Sequence, residues 1–141
     1  YVGQAPATAA LLNGAAHIQF IAQVNLEGSA IVARKGSGID SVKGLAGRLV
    51  AIPGHATMQD FLLRRAVKNS MISFQDIRPI VLKPPEMLQA LEKKNIDAFI
   101  AWQPYPAQAL KSDAAQVVLD SAAIWKDHPC CALIALRSLC S

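Results

Sequence analysis

The sequence predicts an α/β protein with a parallel sheet, and three observations lead to this prediction. From residue 39 onwards, apolar strand-like segments alternate regularly with amphipathic helical segments. The links between these segments are short, as in right-handed β-α-β units. The segment 97–102 is almost continuously apolar, as expected for a strand that is covered on both faces. In a sheet of this kind, ligands bind at the carboxyl ends of the strands.

The part of the chain before residue 39 is predicted to hold shorter elements. They are, in order, the end of a strand at 1–3, a helix at 7–12, and strands at 18–24 and 30–34. Gly36, Ser37 and Gly38 then interrupt the pattern. Together with Val117, these residues are the expected hinge.

The rest of the chain carries the strand–helix alternation. Strands are predicted at 48–52, 77–82, 97–102 and 116–120, and helices at 57–69, 86–94 and 105–112. In the first of these helices, Met58, Phe61, Leu62 and Ala66 share one face and are expected to point into the core. The apolar tail at 129–136 is strand-like.

Charge and motifs exclude several classes of function. The net charge of +4 is spread over separate basic pairs, without the interleaved aromatic residues that stack on bases, so nucleic-acid binding is not expected. No apolar run approaches the roughly 18 residues that a membrane span needs. The chain has no Gly-x-Ser-x-Gly elbow, P-loop or His-Glu-x-x-His motif. The sequence therefore predicts a binding protein without a cofactor and not an enzyme.

The three cysteines predict neither a disulfide framework nor a metal site. Cys130 and Cys131 are adjacent, and adjacent cysteines rarely form a disulfide without strain. Cys140 reaches one of them only if the strand turns back. No second pair of ligating residues follows at the spacing of a zinc site, so no metal is expected. The sequence leaves the redox state of all three cysteines open.

The start of the helix at 57–69 is the first candidate for ligand contact. Gly54 allows a tight turn, after which the backbone amides of His55, Ala56 and Thr57 are expected to be unpaired. Unpaired amides and the positive end of a helix dipole together attract anionic or polar ligands. The alternative is an ordinary helix start, in which Thr57 caps the helix and no ligand binds.

The second candidate consists of Trp102, Gln103 and Tyr105, which lie at the carboxyl end of the strand at 97–102. The two aromatic side chains offer amphipathic walls, and the amide of Gln103 offers both a donor and an acceptor. A neutral amide suits an anionic or uncharged ligand better than a cation. Trp102 by itself is equally compatible with a core residue that closes the sheet.

Several segments of the chain together resemble one family of proteins. They are Ile39–Gly54, Asp60–Arg64, Ile96–Ala98, Trp102–Tyr105, and the earlier Tyr1–Pro6 and Asn13-Gly14. Over essentially its whole length, the chain resembles the nitrate-, sulfonate- and taurine-type periplasmic substrate-binding proteins of ABC transporters. The strongest part of this match is the lysine–glycine–leucine–glycine block, which the glycine turn follows at the right distance.

The resemblance implies a two-lobed, type II periplasmic-binding-protein fold that clamps its ligand between the lobes. Residues 38–116 correspond to a nearly complete second lobe, and residues 1–37 and 117–141 correspond to a partial first lobe. The chain is therefore expected either to be part of a longer protein or to have an incomplete first lobe. The first-lobe ligand contacts that the resemblance suggests are Gln4, Ala5, Gly28 and Ser29.

The same resemblance implies a function. A small anion or polar organic ligand is bound in the interlobe cleft and passed to an ABC permease in the membrane. The implied location is periplasmic or otherwise extracytoplasmic, with a lipoprotein N-terminus outside this chain as one form of anchoring. An incomplete first lobe is expected to expose apolar surface and to favour homo-oligomers.

Two alternatives stay open. A sub-group of this fold is similar to enzymes of thiamine-pyrimidine synthesis, and the cysteine pair distantly resembles their cysteine-rich stretch. The histidine and lysine that those enzymes need at cofactor positions have no match here. The second alternative is the effector-binding module of a regulator, although the chain contains no helix-turn-helix.

Overall fold

Two separate β-sheets organise the fold, which a computed structural model describes for residues 1–140. The strands are β1 (Val2–Gly3), β2 (Ile18–Leu26), β3 (Ser29–Arg34), β4 (Leu49–Ile52), β5 (Arg78–Val81), β6 (Ala98–Trp102), β7 (Ala115–Asp120) and β8 (Pro129–Leu136). The helices are α1 (Gln4–Leu12), α2 (Met58–Asn69), α3 (Pro84–Glu92), α4 (Tyr105–Lys111) and α5 (Ser121–Ile124). Each predicted strand and helix is confirmed, with bounds that shift by up to three residues.

The larger sheet has five strands in the order β5-β4-β6-β3-β7. β4 runs parallel to both β5 and β6, which confirms the predicted β-α-β units. β3 runs antiparallel to β6 and to β7. The sheet is therefore mixed: the strands after residue 39 run in one direction, as predicted, and β3, which precedes that residue, runs against them. This strand enters from the smaller sheet and not through a crossover helix.

Apolar side chains cover both faces of the larger sheet. On β6, Ala98 and Ile100 pack against one core cluster, which includes the inner face of α2. Phe99 and Ala101 point the other way and pack against a second cluster beneath α3 and α4. This arrangement explains the nearly continuous apolar sequence of β6.

The inner face of α2 differs in one residue from the prediction. Met58, Leu62 and Ala66 are buried as expected, but Phe61 is 45% exposed. Leu63 is fully buried instead, so the buried stripe runs along the Leu62–Leu63 side of the helix. Phe61 stacks at a tilt on Trp125, with ring centroids 5.7 Å apart.

The smaller sheet has three antiparallel strands in the order β1-β8-β2. Along β2, apolar side chains such as Ile21, Val24 and Leu26 are about half exposed. This sheet thus presents apolar surface on the outside of the described chain. No helix within residues 1–140 is long and apolar enough to cross a membrane.

The chain passes between the two sheets at two places. One is the Glu27–Gly28 link between β2 and β3, and the other is the segment 121–128 between β7 and β8. The expected lobe boundaries, after residue 37 and before residue 117, do not follow this sheet membership, because β3 and β7 both belong to the larger sheet. Residue 141, the end of the expected first lobe, lies outside the described residues.

The expected hinge residues lie away from both crossings. Gly36, Ser37 and Gly38 form a turn after β3, at the far end of the larger sheet. Val117 pairs with Val32 within that sheet. These four positions therefore do not join the two sheets, and the hinge prediction does not fit the topology.

Candidate functional site

A cavity of about 200 Å³ lies where the smaller sheet meets the start of α2. One wall comes from the smaller sheet and α1, and the opposite wall comes from α2 and the carboxyl end of β6. The lining residues are Gly3, Pro6, Thr57, Met58, Gln59, Trp102, Cys130 and Cys131. The cavity lies at the carboxyl end of a sheet strand, where ligands of open α/β sheets bind.

Thr57 caps α2 through its side chain. Its Oγ1 accepts a hydrogen bond from the Asp60 amide at 3.2 Å and donates one to the Gly54 carbonyl at 2.7 Å. Capping of this kind orders the first turn of a helix and satisfies one of its free amides. The cap that the sequence offered as the alternative to a ligand site is therefore present, and it also forms part of the cavity wall.

The Asp60 carboxylate compensates part of the positive partial charge at the start of α2. Asp60 Oδ2 accepts a hydrogen bond from the Ala56 amide at 3.1 Å, and Oδ1 accepts one from Arg64 Nε at 2.9 Å. The expectation that the Ala56 amide is unpaired was therefore wrong. Within residues 1–140, the amides of Met58 and Gln59 have no acceptor, and both residues line the cavity. Of the three amides that were expected to be free, only that of Ala56 is paired, and the helix start adds the amides of Met58 and Gln59 as donors on the cavity.

Gln59 is a buried polar residue of the cavity wall that the sequence analysis missed. Its Nε2 donates to Ser29 Oγ at 3.0 Å, and both side chains are buried. The Ser29 amide in turn donates to Ser121 Oγ at 3.1 Å. The signal was present in the sequence: Gln59 lies three and four residues before the buried Leu62 and Leu63, on the inward side of the helix.

The predicted aromatic pair sits beside the cavity. Trp102 lines it, and Tyr105 meets the Trp102 ring edge-on with centroids 6.0 Å apart. Tyr105 supports the orientation of Trp102 and does not line the cavity itself.

Gln103, by contrast, faces a different space. Its Oε1 accepts a hydrogen bond from the Ala107 amide at 3.2 Å, near the start of α4, and its own amide donates to the Gly28 carbonyl at 2.8 Å. With Gly28 and Ser29, Gln103 lines a second cavity of about 260 Å³ that also includes Glu27, Asp120 and Ser121.

The remaining predicted contacts are also dispersed. Ala5, Ala56 and Thr57 line an open apolar cavity of about 340 Å³ beside Phe61 and Trp125. Gln4 lines another cavity on the smaller sheet, next to β2. Gly54 and His55 precede the α2 cap, and His55 is exposed. The structure thus brings Thr57 and Trp102 together in one cavity and separates the other candidates from it.

Two free thiols complete the cavity wall. The Sγ atoms of Cys130 and Cys131 are 3.8 Å apart, and Cys140 is free and exposed. Burial, and then the neighbouring Cys131 thiol, raise the pKa of Cys130 to about 11. Within the described residues, no group of three or more His, Cys, Asp or Glu side chains is placed to hold a metal ion.

The structure is thus an α/β unit in which a cavity of about 200 Å³ lies between two sheets. The chain belongs to the NMT1-like family, whose model matches residues 1–140.

Named relatives agree with this assignment. A Bacillus subtilis protein named for the binding of aliphatic sulfonates is 31% identical over 123 residues, which are 84% of this chain and 36% of the relative. A nitrate import ATP-binding protein of Synechocystis is 37% identical over 75 residues, which are 52% of this chain and 11% of the relative.

A solved structure shows the same fold. The periplasmic aliphatic sulphonate binding protein SsuA from Escherichia coli superposes with a TM-score of 0.83 at 26% identity, over 97% of this chain and 46% of that protein. The expected periplasmic-binding-protein fold is thus confirmed. The chain spans less than half the length of each of these relatives.

Proposed function

We propose that this chain forms part of a solute-binding protein that delivers a small organic oxyanion, of the alkanesulfonate class, to an ABC importer. The observation that carries the proposal is the cavity between the sheets, which combines free helix-start amides with an apolar wall. The amides of Met58 and Gln59 are suited to the anionic head group. Pro6, Met58 and Trp102 are suited to a short apolar chain.

The apolar wall favours an organic anion over nitrate. Nitrate has no apolar part that would gain from burial against Pro6 and Trp102, whereas each methylene of an alkanesulfonate contributes roughly 0.8 kcal/mol when it is buried. The names of the sulfonate-binding relatives support the same choice.

The role is binding and not catalysis. The cavity wall holds no histidine or carboxylate that would serve as a general base, and relatives of this chain are binding proteins of transporters. The partner in this proposal is a membrane permease. The location is the periplasm or its extracytoplasmic equivalent, with or without a lipoprotein anchor.

Isothermal titration calorimetry of the protein tests the ligand class. Ethanesulfonate and butanesulfonate are compared with nitrate and with the matching uncharged alcohols. We expect affinity to rise from ethanesulfonate to butanesulfonate and binding of the alcohols to be undetectable. Equal affinity for nitrate and butanesulfonate, or no binding of any sulfonate, would contradict the proposal.

A pair of variants tests the position of the site. Trp102→Ala removes a cavity wall and is expected to weaken butanesulfonate binding by tenfold or more. Gln103→Ala lies on the other cavity and is expected to leave that affinity within twofold. A tenfold loss of affinity in Gln103→Ala, with no loss in Trp102→Ala, would indicate that the ligand binds beside Gly28 and Gln103.

The exposed apolar side chains of β2 also support self-association through the smaller sheet. Light scattering coupled to size-exclusion chromatography is expected to show a dimer at micromolar concentration. Val24→Lys is expected to shift it to monomer, and a monomeric wild-type protein would refute self-association.

A further inference from the structure

Cys130 and Cys131 are neighbours in β8, yet their two thiols lie close together on the cavity. Successive side chains of a regular strand point to opposite faces of the sheet. Here the pairing with β2 is irregular: Leu26 pairs with Pro129 and Asn25 pairs with Cys131, so Cys130 is an extra residue between two paired positions. A β-bulge of this kind re-aims side chains. It accounts for both thiols lining the same cavity, with Sγ atoms 3.8 Å apart.

The geometry of adjacent cysteines disfavours a direct disulfide between Cys130 and Cys131. The peptide bond between the two cysteines is trans, because the one cis bond in the described residues is Gln103-Pro104. Consecutive Cα atoms across a trans peptide are about 3.8 Å apart. Disulfides have Cα separations of roughly 4.4–6.8 Å. When a third atom bridges the two sulfurs, no S–S bond is formed and the short Cα separation no longer prevents closure.

We propose that Cys130 and Cys131 form a dithiol site that binds a single thiophilic centre, of the class of monosubstituted trivalent arsenicals, inside the cavity. Such a centre needs only two sulfur ligands, because its third bond is to carbon. This matches a cavity wall that offers two thiols and no third thiol, imidazole or carboxylate. The organic substituent then lies against Pro6, Met58 and Trp102.

The covalent step balances without an oxidant or reductant. With phenylarsine oxide, two arsenic–sulfur bonds form, two S–H bonds break, and the oxygen leaves with both protons as one water molecule. Arsenic stays trivalent. Cys131, which is less buried than Cys130, reacts first. The high pKa of Cys130 keeps its thiol protonated until the second bond closes the ring.

Intact-mass spectrometry of the reduced protein with phenylarsine oxide tests the site. The wild-type protein and the matched control Cys140→Ser are expected to carry one phenylarsenic group, which survives excess 2-mercaptoethanol and is removed by 1,2-ethanedithiol. In the Cys130→Ser and Cys131→Ser variants, excess 2-mercaptoethanol is expected to remove the phenylarsenic group. An adduct that persists in either of these variants, or that requires Cys140, would overturn the proposal.

A second readout locates the adduct and does not depend on sulfonate binding. In a Trp125→Phe variant, Trp102 is the remaining tryptophan. One equivalent of phenylarsine oxide is expected to change its fluorescence emission, since Trp102 lines the same cavity as the two thiols. The Cys131→Ser version of this variant is the control. Unchanged emission in the presence of a stable adduct would place the arsenic outside the cavity and overturn the proposal.

Discussion

Gln59 Nε2 donates a hydrogen bond of 3.0 Å to Ser29 Oγ, and this bond ties the first turn of α2 to the start of β3. Ser29 follows directly on the link by which the chain enters the larger sheet, and Gln59 lines the candidate cavity. The bond therefore fixes the position of the cavity wall relative to the crossing between the sheets. Both side chains are buried, so a polar group that loses its partner here has little access to solvent.

Removing one partner of this bond is expected to destabilise the protein. Ser29→Ala leaves the Gln59 amide group buried without an acceptor and is expected to lower the free energy of unfolding by about 1–3 kcal/mol. Urea unfolding followed by circular dichroism measures this change. In a double-mutant cycle with Gln59→Leu, the two losses are expected to be less than additive. Strict additivity would show that the bond contributes nothing to stability.

The Thr57 cap provides a matched pair of variants. Thr57→Ala removes the acceptor for the Asp60 amide and is expected to cost about 0.5–2 kcal/mol of stability. Thr57→Ser keeps the hydroxyl and is expected to stay close to the wild-type protein. Thermal unfolding distinguishes the two outcomes. An equal loss in both variants would assign the effect to the methyl group and not to the cap.

The backbone of the turn before α2 predicts the effect of a substitution at each of two small residues, Gly54 and Ala56. Ala56 has a φ of 59°, in the left-handed region that favours glycine. Ala56→Gly is therefore expected to stabilise the protein by up to about 1 kcal/mol, because it relieves this conformation. At Gly54, φ lies outside that region, and an added Cβ meets the Thr57 methyl at an ordinary 3.5 Å. Gly54→Ala is expected to cause no loss in denaturant unfolding, and a large loss would contradict this account.

The Cys130 thiol predicts a loss of stability at high pH. Its pKa is raised from 9.0 to about 11 in the folded protein, so the unfolded chain releases this proton first. The stability that the neutral thiol contributes is complete below about pH 9 and is lost as the pH rises through about 11. Urea unfolding at several pH values in this window is expected to show wild-type stability falling towards that of Cys130→Ala. A constant difference between the two proteins would contradict the raised pKa, and Cys140→Ser serves as the control.

The order of strands and helices could be predicted because each element carries a local signal. Apolar runs, glycine breaks and a helix-capping threonine are read within a few residues of sequence, and they gave bounds close to those of the structure. The direction of β3 could not be predicted in this way. It depends on which strand β3 pairs with, and β6 is about seventy residues away.

The site was predicted in part for the same reason. Thr57 follows from the helix start and Trp102 from the rule that ligands bind at strand ends, and both line the cavity. Gln103 follows from the same rule, but its side chain accepts a hydrogen bond at the start of α4. The pattern of the strand does not predict this orientation. Gln59 was overlooked because a glutamine near a helix start is ordinary in sequence. Its helical spacing to Leu62 is the sequence signal that it lies on the inward side.

The two crossings between the sheets are themselves fastened together. The Glu27 amide donates to the His128 carbonyl at 2.9 Å, and Glu27 Oε1 accepts from the Asp127 amide at 2.7 Å. These two hydrogen bonds hold the crossings side by side and oppose their separation. A change in the distance between the two sheets that kept both hydrogen bonds intact would therefore have to pivot near Glu27 and His128.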